Sequence, residues 1–269
     1  MAAFGEDFAG SRRRLFQAAN PAGLWPVVGF AVALVVINQL LQTGFGMAAA
    51  AAISRTMGED PGNIIKGFLI GILPASLLTV VAAWFIARFR GGAPLEVLSL
   101  HFPRLGWMGW AITVGGFVVG MYAMLIAAVM VLGIDVAQYQ PTEGQDNSET
   151  IGLVKQAMFD IAHNPTLFML VLPSVVLGAP LAEEFIFRGQ LFTALSQTRL
   201  GFAGTSAVTS ACWALLHLTE PWFSVAIIFV MGLAFGYLMW RFGSLWVTIV
   251  CHAVWNGIYA MMMFSSAGP

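Results

Sequence analysis

The chain has 269 residues, of which 59% are hydrophobic and 9% charged, with a formal net charge of −1. A soluble domain carries about a quarter charged residues, so a soluble globular fold is excluded, and no basic patch points to nucleic acid. The charges are also segregated. None falls between Arg14 and Arg55, Lys66 and Arg88, Arg104 and Asp135, or Asp160 and Glu183. The same holds from Arg199 to Glu220, from Glu220 to Arg241, and from Arg241 to the end. A transmembrane helix needs about 20 apolar residues. The gaps therefore predict an all-α polytopic transmembrane bundle of about seven to eight helices.

Residues 1–23 form a polar lead-in carrying Arg12, Arg13 and Arg14, and they lack the form of a signal peptide. The remainder, 24–269, reads as a single membrane domain. The first span is expected at Leu24–Thr43, with the Ala- and Gly-rich Gly44–Ile53 extending it or lying at the interface. Gly67–Ala87 is the second, with Pro74 as a kink. Trp107–Leu132 is the third, and Trp107 and Trp110 suit an aromatic belt. Within the polar segment Asp135–His163, residues from about Thr150 to Ile161 have the spacing of an amphipathic surface helix. The fourth span is expected at Pro165–Gln197. Phe202–Leu218, Pro221–Trp240 and Ser244–Met263 complete the set. With a cytoplasmic N-terminus, the inner loops hold eight Lys and Arg residues against three outside. That bias favours this orientation, in what a compact Ala- and Gly-rich chain suggests is a bacterial plasma membrane. Cys212 and Cys251 fall within spans and are expected to pack as small apolar residues.

The run Ala179–Gly189 stands out. Glu183, Glu184 and Arg188 interrupt an apolar stretch, and a charge at mid-bilayer costs roughly 2.5–3.5 kcal/mol on insertion scales. Two further spans carry polar groups: Trp213 and His217 in one, His252 and Asn256 in the other. Positions four apart share a helix face. Glu184 with Arg188, and His252 with Asn256, therefore point the same way in pairs. Glu184 and Arg188 can be a buried ion pair, and a single intramembrane histidine can be a helix-to-helix hydrogen bond. Together the groups also make a kit for hydrolysis. A carboxylate beside a histidine can take a proton from water, and donors such as His252 and Asn256 can hold the oxyanion. Spacing does not say which histidine assists the base.

Three motifs occur in order in consecutive hydrophobic segments. They are Glu-Glu-x-x-x-Arg at 183–188, aromatic-x-x-x-His at 213–217 and His-x-x-x-Asn at 252–256. In this the region 165–260 resembles the CAAX-protease and bacteriocin-processing family of intramembrane proteases. The resemblance implies a glutamate-dependent membrane endopeptidase acting on a peptide or protein substrate. Glu183 would be the base, and His217 would hold the same water. His252 and Asn256 would form the oxyanion site, with Glu184, Arg188 and Trp213 in support. It implies no metal and no cofactor, although two Glu and two His could ligate zinc. The chain departs from the family at Trp213, where Phe is usual; a bulkier ring is expected to alter pocket shape rather than chemistry.

Other readings stay open. There is no His-Glu-x-x-His, which excludes a zincin-like site. Gly204-Thr205-Ser206-Ala207 with His252 is a near match to a serine intramembrane protease, but it leaves Glu183, Arg188 and Asn256 unused. A membrane scaffold, chaperone or carrier could use the same polar groups for binding. Depth poses a further problem. In straight spans Glu183, His217 and His252 lie at different levels, so a break at Pro180 is expected, with Glu183 on an offset helical piece.

Overall fold

The computed structural model describes residues 23–133 and 148–266. The Arg12–Arg14 lead-in and the polar residues 134–147 lie outside the described residues. Every described element is helical. In chain order these are α1 (Leu24–Met57), α2 (Gly62–Phe89), the single turn α3 (Pro94–Val97), α4 (Gly106–Leu132) and α5 (Ser148–His163). Beyond them lie α6 (Pro165–Leu195), α7 (Gly201–Leu215), α8 (Trp222–Phe242) and α9 (Leu245–Ser266). Among the described residues, six helices are long and apolar enough to cross a membrane: α1, α2, α4, α6, α8 and α9. The protein is an integral membrane protein.

All seven segments expected as spans are helical, with two differences. Gly44–Ile53 continues α1 without a break, giving a helix of 34 residues. The fifth segment stops early: α7 has 15 residues and ends at Leu215. Its next amide, Leu216 N–H, turns back to Trp213 O, and His217 N–H to Ala214 O. His217 therefore sits in a turn rather than in the span.

Local signals set the ends. Asn164 caps α6, its side-chain oxygen accepting from Thr166 N–H and Leu167 N–H, with Pro165 in the first turn where its missing N–H costs nothing. Gly243, at φ 62°, closes α8 in the left-handed conformation that glycine adopts without penalty.

The expected break at Pro180 does not occur. α6 stays helical from Pro165 to Leu195 but changes its winding twice. Ser174–Gly178 and Phe185–Phe192 are π-helical, and the α-helical piece Ala179–Glu184 lies between them. Each wide turn rotates the residues beyond it relative to a regular α-helix, so the reorientation sought from a break comes from inserted π turns.

The chain divides into two compact units. The first gathers residues 23–36, Thr79–Tyr122 and Ala182–His252. Here α7 and α8 approach through Gly232 and Gly236. A Cβ on Gly232 would lie 2.7 Å from Ser210 Cβ, and one on Gly236 would strike Ser206 Oγ. Small residues let helix backbones close in where lipid supplies no hydrophobic push. Another Gly-x-x-x-Gly pair, Gly116 and Gly120, meets nothing within 4 Å. At the end of α2, the fully buried Arg90 donates from Nη1 to Gln190 Oε1 at 2.8 Å, and Gln190 Nε2 donates to Ala83 O at 2.7 Å. This clasp anchors the second π turn. Burial lowers the Arg90 pKa to about 10, which leaves it cationic at neutral pH. Cys212 and Cys251 are both free, and Cys251 is buried.

The second unit gathers Ile37–Leu78, 123–133, 148–181 and 253–266. Its core is Ile53, Ile161, Leu167 and Val171, with Leu69, Ile70, Met158, Phe168, Val175 and Phe264 packed around it. α1 and α2 touch at glycines: a Cβ on Gly71 would lie 2.6 Å from Gly46 N. The buried Lys66 ammonium pairs with Asp160 of α5, which joins that amphipathic helix to α2.

Candidate active site

Glu183 and Glu184 end the short α-helical piece of α6, immediately before the second π turn. Trp213 lies near the end of α7, and His217 sits in the turn after it. α8 brings Gly232 and Phe235, and α9 brings His252. All of these belong to the first unit.

The deepest part is a three-residue charge network. Glu184 is fully buried, and its Oε1 accepts from Arg188 Nη1 at 3.1 Å and from His252 Nδ1 at 3.0 Å. Arg188 is also fully buried. Its guanidinium lies between the Trp213 ring, at 4.6 Å, and the Phe235 ring, at 5.0 Å. Two aromatic faces and a carboxylate thus replace water around a cation that lipid would reject. A carboxylate paired with Arg188 only accepts hydrogen bonds, so His252 Nδ1 is the donor. That contact fixes the ring and leaves Nε2 as its outward nitrogen.

Glu183 sits at the mouth of this network, 24% exposed where Glu184 is 0%. Its Oε2 lies 3.8 Å from His252 Nε2 and accepts a hydrogen bond from Trp213 Nε1 at 2.7 Å. One carboxylate is therefore locked in an ion pair. The other is partly open, held on one side by an indole N–H and faced by an imidazole nitrogen.

His217 donates from Nδ1 to its own helix at Trp213 O, at 3.1 Å, and stands edge-on to the Trp213 ring at 5.7 Å. This leaves its Nε2 as an acceptor. Asn256 belongs to the second unit, one turn beyond His252 along α9, and its Nδ2 donates to Val175 O at 3.1 Å.

The structure thus gathers Glu183, Glu184, Arg188, Trp213, His217 and His252 in one unit and places Asn256 in the other. It also revises the role expected of Trp213. The indole bonds to Glu183, stacks on Arg188, and makes ring contacts with His217 and His252, the latter at 5.3 Å. Compared with the Phe expected from the resemblance, the indole adds a hydrogen-bond donor to the open carboxylate as well as bulk. Phe235, 5.1 Å from the His252 ring, has no mark in the sequence; one Phe among 21 carries no local signal. Among the described residues, no three His, Cys, Asp or Glu side chains come together as a metal-ligand set.

Comparison with known proteins bears on this cluster directly. Residues 165–258, which hold all three motifs, match the family described as Rce1-like, type II CAAX prenyl endopeptidase Rce1-like. Over these residues the chain is similar to that family, and the protein is a membrane-embedded peptidase. It is also 28% identical over 256 residues to "Putative membrane peptidase YdiL" of Bacillus subtilis (strain 168), covering 95% of this chain and 78% of that one. No solved structure matches.

For a membrane peptidase with this arrangement, Trp213→Phe is a mild change in shape and a clean loss of one donor. A hydrogen bond to a charged group contributes about 1.5–3 kcal/mol. The expected result is a fall in kcat of roughly ten- to a hundredfold with KM little changed, read by steady-state cleavage kinetics. An unchanged kcat would show that the indole N–H does nothing for Glu183.

Proposed function

We propose that the protein hydrolyses peptide bonds of membrane-associated peptide or protein substrates by a glutamate-dependent mechanism. The observation that carries this reading is the division of labour between two adjacent glutamates. Glu184 is buried and spent on Arg188 and His252, while Glu183 is part-exposed with its Oε2 3.8 Å from His252 Nε2.

In this mechanism Glu183 takes a proton from a water molecule as the water oxygen bonds to the scissile carbonyl carbon. His217 Nε2, an acceptor, holds the same water. Charge moves onto the carbonyl oxygen, which a doubly protonated His252, donating from Nε2 while Nδ1–H stays on Glu184, and the Asn256 amide stabilise. When that intermediate collapses, the C–N bond breaks and Glu183 returns its proton to the leaving amine. Glu184 keeps the His252 ring in register throughout, and Arg188 balances its charge. No metal enters the scheme. His252 Nδ1 is held by Glu184 Oε1, and a metal chelator is expected to leave cleavage unchanged.

The test is a cleavage assay on purified protein reconstituted in liposomes, with a library of membrane-anchored peptides read by mass spectrometry. Wild type should cut; His252→Ala should lose about 10²–10³ in kcat, the usual loss for an oxyanion donor. If neither cuts while Glu183→Gln alters solute or proton flux, the polar groups serve a carrier. If neither cuts and flux is also unaltered, a scaffold role stands.

A further inference from the structure

Pro180 does not break α6, and the structure offers another reason for its presence. In the first π turn each N–H reaches back five residues, and Ala179 N–H donates to Ser174 O. The next step in that register would be residue 180 donating to Val175 O. Pro180 has no N–H. Val175 O is instead taken by a side chain, Asn256 Nδ2, at 3.1 Å. A carbonyl can only accept, so the amide nitrogen must be the atom that faces it. This fixes which end of the Asn256 amide points at α6. The nitrogen carries two hydrogens, and only one is used on Val175.

We propose that Pro180 is a positioning residue for Asn256. By withholding a backbone donor, it leaves Val175 O open, and that oxygen orients the Asn256 amide so that its second N–H is presented in a fixed direction. Val175, Pro180 and Asn256 all lie in the second unit. The catalytic half of this inference rests on Asn256 as an oxyanion donor; the coupling between Pro180 and Asn256 does not.

Pro180→Ala tests it. Alanine is a far better helix former than proline, so the variant keeps α6, and its new N–H competes with Asn256 for the carbonyl. Pro180→Ala is expected to lower kcat roughly tenfold with KM unchanged. In an Asn256→Ala background the same substitution should lower kcat no further, because the amide it disorients is gone. Multiplicative losses would overturn the proposal.

A second readout needs no activity. Melting of the purified protein in detergent should show Asn256→Ala lowering Tm by about 2–4 °C when Pro180 is present, since Val175 O then loses its donor. With Pro180→Ala the same substitution should cost less than half as much. Equal losses in both backgrounds would overturn the coupling. A non-additive melting cycle in a protein that cuts nothing would reject the peptidase reading and leave the Pro180–Asn256 coupling standing.

Discussion

Glu183→Gln is expected to remove peptide cleavage almost completely, with kcat down by about 10²–10⁴, the range for loss of a general base. The substitution isolates the proton-accepting function. A Gln side-chain oxygen still accepts from Trp213 Nε1, so the 2.7 Å contact and the packing of the indole can persist. KM should stay near its wild-type value, because Glu183 acts on water rather than on substrate binding. The thermal midpoint should also hold, since this carboxylate is partly exposed and carries no ion pair with Arg188. Steady-state kinetics in proteoliposomes, run beside a melting curve, checks both halves. Robust turnover by Glu183→Gln would remove Glu183 from the chemistry. A collapse in stability would recast it as structural.

Glu184→Leu is expected to act in the opposite manner, through stability first. Glu184 and Arg188 are both fully buried, and removing one partner leaves the other charge stranded. Such losses cost about 3–5 kcal/mol. The stacking of Arg188 on Trp213 and Phe235 softens the penalty without cancelling it. Replacing both partners, as Glu184→Leu with Arg188→Met, should regain most of that stability, because a well-packed apolar pair often equals a buried ion pair. Activity should not return with it. Without Glu184 the His252 Nδ1 has no acceptor, and the ring loses the contact that turns Nε2 toward Glu183. Denaturation midpoints together with kcat for the single and double variants separate the two roles. Full activity in the stable double variant would show that Glu184 balances charge and nothing more.

Much of this is legible in the sequence because lipid makes polar groups costly. Charge-free gaps locate the helices, and the groups interrupting them mark the site. The pairing of Glu184 with Arg188 is plain from four-residue spacing alone. Other features have no sequence signal. The π turns depend on which carbonyl each amide finds, and the residue types in 174–178 and 185–192 do not encode that choice. Which histidine faces Glu183 also cannot be read. His252 does so because Glu184 holds its other nitrogen, whereas His217 bonds back to its own helix. Pro180 marks the right stretch for the wrong reason: its residue type predicts a helix break, and in the fold it leaves an acceptor for Asn256. At Trp213 ring size is only half of the matter, because an indole also carries a donor.

The shortness of α7 has a consequence for water supply. Fifteen residues rise about 22 Å, against roughly 30 Å of hydrocarbon in an ordinary bilayer. A mismatch of this kind is met by local thinning of the lipid or by headgroups dipping inward. The end of α7 carries Trp213 and leads into His217, so the thinned patch would lie over the mouth of the cluster. Hydrolysis inside a membrane consumes a molecule the membrane excludes. A helix too short for its surroundings is a simple means of admitting it, and lengthening the bilayer's acyl chains would be the way to tune the rate without touching a residue.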